Sequence, residues 1–60
     1  MTSAELKAWR DRLKFSNREA ADRLALSLQG FLDQLYGHRI VSRRTAAMAE
    51  LIEYQEDKVR

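Results

Sequence analysis

Two helix-start signals stand close together at the beginning of the chain. Thr2 is followed at the third position by Glu5, and Ser16 is followed in the same way by Glu19. In such a capping box the hydroxyl accepts from the backbone N–H of the glutamate, and the glutamate carboxylate accepts from the N–H of the first residue. Because the second signal begins fourteen residues after the first, the first helix has to be short and has to turn directly into the second.

Apolar residues after the first signal recur at helical spacing. Leu6, Trp9 and Leu13 fall at i, i+3 and i+7, which places them on one face of a helix. Trp9 is expected in the core, packed on the second and fourth helices, because a buried indole supplies a large apolar surface. Phe15 stands directly before the second cap, where it can act as a hydrophobic staple against Ala20.

Two more serines predict the starts of two further helices. Ser27 can cap a third helix, which Gly37 can end in a left-handed conformation, and Ser42 can cap a longer fourth helix. The residues of this last helix expected to face inward are Ala47, Met48, Leu51, Ile52 and Val59. The predicted helices cover residues 3–14, 17–25, 28–36 and 43–57. The fold class is therefore all-α, a compact four-helix arrangement with residues 1–60 as a single domain.

The size and composition of the chain exclude several classes of protein. A chain of 60 residues buries only about 60% of the surface that its unfolded form exposes, which leaves room for one small core. The absence of cysteine excludes a disulfide framework and a thiolate zinc site, so packing or pairing with a copy or partner must hold the chain together. Two glycines and no proline are too few turn-forming residues for a β-sandwich or barrel.

The distribution of apolar residues predicts a cytoplasmic protein with no membrane segment. The longest uninterrupted apolar run is residues 46–49, far below the roughly 18 residues that a membrane span needs. The N-terminal residues lead straight into mixed charge, unlike a signal peptide.

Charge is divided unevenly along the chain. Residues 1–45 carry a net charge of +4 and residues 46–60 a net charge of −2. The first three quarters of the chain could approach an anion, with the last quarter facing away from it. The alternative is that these charges only solvate the outer faces of the helices.

The second and third predicted helices match the pattern of a helix-turn-helix. The second helix is short and has alanines on the face that packs, the connection is tight, and the third helix begins at a serine and ends at a glycine. Here the chain resembles the lambda-repressor-like regulators, the Cro/repressor class of phages and bacteria. Residues 16–27, SNREAADRLALS, resemble the first half of that motif, and residues 37–46, GHRIVSRRTA, resemble the segment after its recognition helix. Arg10 and Leu13 also fall where the family has an arginine and a leucine, and the resemblance runs without gaps from residue 2 to about residue 54.

The resemblance implies sequence-directed binding of double-stranded DNA by a homodimer, with helix 28–36 in the major groove. The positions that would read bases are Leu28, Gln29, Leu32 and Asp33. The positions that would contact phosphate are Asn17, Arg18, Arg39, Arg43 and Arg44. Gln29 is the best single reader, since a glutamine amide can bond an adenine edge at two points, typically worth about 1–3 kcal/mol of discrimination.

The third helix departs from the family pattern. Its leucines and Phe31 form an apolar stripe over Leu28, Phe31, Leu32 and Leu35, whereas the family buries positions 31, 34 and 35 and would thus bury Gln34. Three interpretations follow. Leu28 and Leu32 contact thymine methyl groups, or they form a patch for a protein partner or second copy, or the helix is turned so that both are core. The last interpretation leaves Gln29, Asp33 and Tyr36 outside.

Three other positions differ from the family. Leu35 replaces the usual glutamate partner of Arg10, so Arg10 is expected to reach solvent, Asp33 or a phosphate. Lys14 and Ala25 stand where glycine is common, and a positive φ at Ala25 would cost about 1 kcal/mol.

The leading hypothesis is a small DNA-binding transcriptional regulator, and the rival is a protein-interaction module that uses the Leu28/Leu32 face to bind another regulator or a component of the transcription machinery. We expect no enzymatic activity, because the serines are accounted for as helix caps or lie at the chain end. We expect neither cofactor nor metal, because His38 has no second histidine or cysteine beside it.

Overall fold

A computed structural model describes residues 1–59 of the chain and the side-chain surroundings as far as Asp57. Within this part the chain forms helices and no strand. The helices are α1 (Ser3–Leu13), α2 (Asn17–Arg23), α3 (Leu28–Leu35) and α4 (Arg43–Val59). The all-α, four-helix prediction is confirmed. Compared with the predicted ranges, α1 and α3 are one residue shorter, α2 is two residues shorter and α4 is two residues longer.

All four helices begin at the predicted caps. Thr2 and Glu5 form the complete capping box: the Thr2 hydroxyl accepts from the Glu5 N–H at 3.1 Å, and a Glu5 carboxylate oxygen accepts from the Thr2 N–H at 2.9 Å. The serine hydroxyls at the other three starts each accept from a backbone N–H three residues on, at Glu19, Gly30 and Thr45. These bonds satisfy donors that a helix start otherwise leaves without partners. The backbone and hydroxyl bonds from Thr2 hold the pKa of Glu5 below its ordinary value of 4.5.

Left-handed residues follow three of the helices. Lys14, Ala25 and Gly37 have φ values of 59°, 58° and 83°. At the first two, the following residue donates back into the finished helix, Phe15 to the Arg10 carbonyl at 3.1 Å and Leu26 to the Ala21 carbonyl at 2.9 Å. The chain therefore reverses tightly after α1 and α2, in spite of having no glycine at either place.

The core is formed by residues from all four helices, with α1 in contact with α3 and α4 and with α2 packed on α3. Trp9, Phe31 and Leu6 are its largest fully buried side chains, so the prediction that Trp9 is a core residue is confirmed. The Trp9 indole N–H donates to the Ala49 carbonyl of α4 at 2.9 Å, and its ring meets the edge of the Phe15 ring at a centroid distance of 5.6 Å. One side chain thus fixes the position of α4 against α1.

The inward face of α4 differs from the prediction. Ile52 is buried and Met48 packs on the core, as expected, but Ala47 and Leu51 are exposed, and Thr45 and Ala49 are buried in their place. Ala49 faces inward because the bond from Trp9 needs a small residue where the two helices approach. Thr45 is tolerated inside because its hydroxyl bonds that of Ser42 at 2.9 Å. The predicted inward position of the Val59 side chain lies outside the described surroundings.

Two ion pairs connect α4 to the N-terminal half of the chain. Arg12 pairs with Glu53, and Arg23 pairs with Glu56 at 3.5 Å. Such exposed pairs are typically worth about 1 kcal/mol or less. They show that part of the acidic charge of α4 is neutralised within the molecule.

None of the helices in residues 1–59 combines the length and the apolar character required to cross a membrane.

Candidate nucleic-acid interface

The orientation of α3 decides which side chains the molecule can offer to a partner. Phe31, Gln34 and Leu35 are buried, whereas Gln29 is exposed and Leu28 keeps 40% of its surface accessible. The interpretation in which α3 is turned to bury both Leu28 and Leu32 is therefore wrong for Leu28. Positions 31, 34 and 35 face inward although position 34 is polar.

Gln34 can be buried because its side-chain oxygen and its backbone carbonyl both accept hydrogen bonds. Its side-chain oxygen accepts from the Ser42 N–H at 3.3 Å, and its backbone carbonyl accepts from the Ser3 hydroxyl at 2.8 Å. A buried amide with partners avoids the cost of a buried polar group without them. The Gln34 side chain therefore connects α3 to the start of α4, which an apolar residue could not do, and the backbone carbonyl of the same residue connects α3 to the start of α1.

The four predicted base-reading residues differ in accessibility. Leu28 and Gln29 are exposed, while Leu32 and Asp33 are half-buried, with Leu32 packed on the edge of the core. The four residues occupy the first turns of α3, and the two that are exposed stand at its N-terminal end. The surface offered by α3 is therefore narrower than the predicted set.

Gln29 is held in place by Asp33. Its amide nitrogen donates to a carboxylate oxygen of Asp33 at 3.0 Å, one turn further along the helix. The other carboxylate oxygen lies 3.9 Å from the Arg39 side chain, and the Arg39 N–H donates to the Asp33 carbonyl at 3.0 Å. One hydrogen of the Gln29 amide and its oxygen remain for a further donor–acceptor pair, which is what bidentate contact with an adenine edge requires.

Arg10 has partners that the sequence did not predict. Its guanidinium bonds the Asp11 carboxylate at 2.8 Å and the Asn17 side-chain oxygen at 2.6 Å. The expected contact with Asp33 is wrong, because the start of α2 lies beside Arg10 and supplies an acceptor. The predicted phosphate contact Asn17 thus has its oxygen occupied, and its amide N–H groups are the part that can meet an anion.

Arg18, Arg43 and Arg44 are exposed, and none of them forms an ion pair within the described part of the chain. Arg18 lies in the first turn of α2, and the other two open α4, whose first turn contains no acidic residue. A helix N-terminus already carries partial positive charge, so cations there are electrostatically unfavourable unless an anion is bound. These three of the predicted phosphate-contacting arginines are accordingly available to an anion.

The sequence did not predict the contacts that hold Gln29, Asp33 and Arg39 in position. The bond between Gln29 and Asp33 could have been found, because residues at i and i+4 are neighbours on a helix. The Arg39 contact to Asp33 has no such signal, since Arg39 lies beyond the end of α3 in a loop whose path the spacing does not determine.

The remaining polar side chains form no evident metal or catalytic cluster. Within the described residues no group of three or more His, Cys, Asp or Glu side chains is arranged to hold a metal ion. A cleft between the end of α1 and α4 is lined by Arg12, Leu13, Glu53 and Asp57. The ion pair between Arg12 and Glu53 spans it, and neither His38 nor a serine lines it.

Comparisons of the chain with known proteins found no matching protein-family model, no matching curated protein and no matching solved structure.

Proposed function

We propose that the protein is a small sequence-specific DNA-binding transcriptional regulator of the phage-repressor type, acting as a dimer. The observation that carries the proposal is the orientation of α3. Burial of Phe31, Gln34 and Leu35 leaves Leu28 and Gln29 outside, which is the division between inward and outward positions that a recognition helix of this type needs. The resemblance of residues 16–27 and 37–46 to such regulators supports the same function.

In this proposal α2 and α3 form the helix-turn-helix, and α3 enters the major groove. Gln29, steadied by Asp33, reads an adenine edge, while Leu28 contacts a thymine methyl group and Leu32 and Asp33 flank them. Phosphate contacts come from the positions that lie outside α3, which are Asn17, Arg18, Arg39, Arg43 and Arg44. These contacts position the domain, and the base contacts specify the sequence.

The test measures binding to duplex DNA by fluorescence anisotropy as a function of salt. First a preferred sequence is selected from a random duplex library, and then binding to it and to an unrelated duplex is compared. We expect Arg43→Ala to weaken binding to both duplexes and to lower the salt slope by about 1. Gln29→Ala is expected to act mainly on the preferred duplex, by about 1–3 kcal/mol at the base pair it reads.

Lys7→Ala is the matched control, because Lys7 is an exposed cation of α1 for which no DNA contact is proposed. Its salt slope should equal that of the unmodified protein. If the protein binds neither random nor genomic duplex DNA at low salt, the proposed function is wrong.

A second candidate function is a protein-interaction module that binds another regulator or a transcription component through Leu28 and Leu32. It is favoured by the 40% exposure of Leu28, since an exposed leucine beside a half-buried one suits an apolar contact. Leu28→Glu discriminates better than Leu32→Glu, because Leu32 also packs on the core. Under this function Leu28→Glu abolishes partner binding with unchanged helical circular dichroism, and the protein shows no salt-dependent affinity for DNA.

A further inference from the structure

The outer face of α4 exposes apolar side chains that the core does not use. Leu51 is 51% accessible and Tyr54 58% accessible, and Ala47 beside them is also exposed. We propose that this face, defined here as the α4 outer face (Ala47, Leu51 and Tyr54), binds a second copy of the chain with the two α4 helices antiparallel.

The three residues form one continuous strip. At 100° per residue they lie within a sector about 60° wide, on the side of α4 opposite the buried Ala49 and Ile52. Their spacing of four and then three residues is that of the a and d positions of a two-stranded coiled coil. A helix face with this spacing fits another helix better than it fits a flat surface.

The sizes of the side chains favour an antiparallel arrangement about a two-fold axis between residues 50 and 51. In that arrangement Leu51 of one copy meets Leu51 of the other. Tyr54 then lies over Ala47 of the second copy, a large side chain against a small one, at both ends of the contact. A parallel arrangement would instead place Tyr54 on Tyr54 and leave the two alanines facing each other across a gap.

The charges on one flank of this strip also favour the antiparallel arrangement. Arg43 and Asp57 lie seven residues before and after Glu50, on the same side of the outer face. Neither forms an ion pair within the described part of the chain. Antiparallel pairing brings Arg43 of each copy against Asp57 of the other, whereas parallel pairing would place Arg43 beside Met48 of the second copy, with no opposite charge to meet. The Arg43 guanidinium has five N–H donors, so it can contact this carboxylate together with a phosphate.

Glu50 is the one flank position that the symmetry treats unfavourably. It would face Glu50 of the second copy at the axis, and like charges that face each other across a helix pair repel. Together with the small area of a single helix from each copy, this predicts reversible self-association at about micromolar or higher concentration.

Sedimentation equilibrium of the protein without DNA tests the apolar part of the proposal. Leu51→Ala removes side-chain contact from both copies, and we expect it to weaken self-association at least about tenfold. Leu28→Ala is the matched control, an exposed leucine truncated on α3, and should leave self-association unchanged. A wild-type protein that stays monomeric at high concentration, or one that responds to Leu28→Ala and not to Leu51→Ala, overturns the proposal.

Charge exchange tests the antiparallel arrangement. Arg43→Asp and Asp57→Arg should each weaken self-association several-fold, the double variant should restore it, and Glu50→Gln should strengthen it. Both single changes improve the charge at their end of α4, and helical circular dichroism of each variant distinguishes a loss of association from a loss of folding. Failure of the double variant to restore association rules out the antiparallel pairing. Because DNA is absent throughout, these outcomes are independent of whether the protein binds DNA.

Discussion

Single residues in this protein hold conformations that their side chains do not favour. Lys14 and Ala25 both have φ near +60°, a region in which a residue with a Cβ is strained by roughly 1–2 kcal/mol. The short links after α1 and α2 impose this conformation, since the residue after each returns a hydrogen bond to its helix. The two positions therefore store strain that the packing of α1, α2 and α3 maintains.

Replacement of either residue by glycine should stabilise the fold. For Lys14→Gly and Ala25→Gly we expect the free energy of unfolding to rise by about 0.5–1 kcal/mol each, the relief of strain being partly offset by the greater freedom of glycine in the unfolded chain. Urea denaturation followed by circular dichroism measures this. Ala8→Gly, at an exposed position inside α1, is the control and should destabilise by about 1 kcal/mol. Equal destabilisation by all three would contradict the strain.

At the scale of the helix, the start of α4 is both capped by its own residues and bonded to α3. The Ser42 hydroxyl accepts from the Thr45 N–H at 3.1 Å, and the Ser42 N–H is held by the Gln34 side chain of α3. These bonds determine where α4 begins and therefore where Arg43 and Arg44 stand.

Ser42→Ala tests the hydroxyl without removing the N–H that Gln34 holds. Loss of the cap should lower the free energy of unfolding by about 0.5–2 kcal/mol. Ser42→Asp supplies a carboxylate oxygen in the same place and should restore most of the loss, with an added benefit from the positive helix end. Thermal and urea unfolding of the two variants give the comparison. If alanine and aspartate behave alike, the side-chain cap does not contribute.

At the scale of the whole molecule, one hydrophobic cluster holds all four helices. The radius of gyration is 10.5 Å, which matches the roughly 10 Å expected for a compact chain of this length. Phe31 lies fully buried in that cluster, on α3, and Trp9 joins α1 to α4 within it. With no second core or disulfide to support it, the fold is expected to unfold as one unit.

Truncation of the central aromatic ring should therefore affect every helix at once. Phe31→Ala is expected to cost about 3–5 kcal/mol, which is comparable with the total stability of about 3–9 kcal/mol for a domain of this size. The helical circular dichroism of this variant should be largely lost, or its melting temperature greatly reduced, near room temperature. Phe31→Leu should cost less and keep the fold. A Phe31→Ala chain that melts like the unmodified protein would mean that the cluster is not the support of the fold.

The sequence by itself determined where the helices begin, and it predicted where they end to within two residues. Caps at Thr2, Ser16, Ser27 and Ser42, and the left-handed ends, depend on bonds between residues at most five positions apart, so spacing along the chain contains the information. The core position of Trp9 also followed from sequence, because its size and its helical spacing with Leu6 leave it little alternative.

Only the tertiary structure decided which face each helix turns inward. The Gln34 side chain can be buried because the Ser42 N–H, which lies beyond the end of α3, provides its partner. Leu51 faces outward because Trp9 bonds Ala49 and so selects the opposite side of α4. The turn between α1 and α2 likewise brings the Asn17 side-chain oxygen within hydrogen-bond distance of the Arg10 guanidinium. Apolar periodicity shows that a helix has a buried side, but when a polar residue gains a partner inside, the hydrogen bond outweighs the pattern.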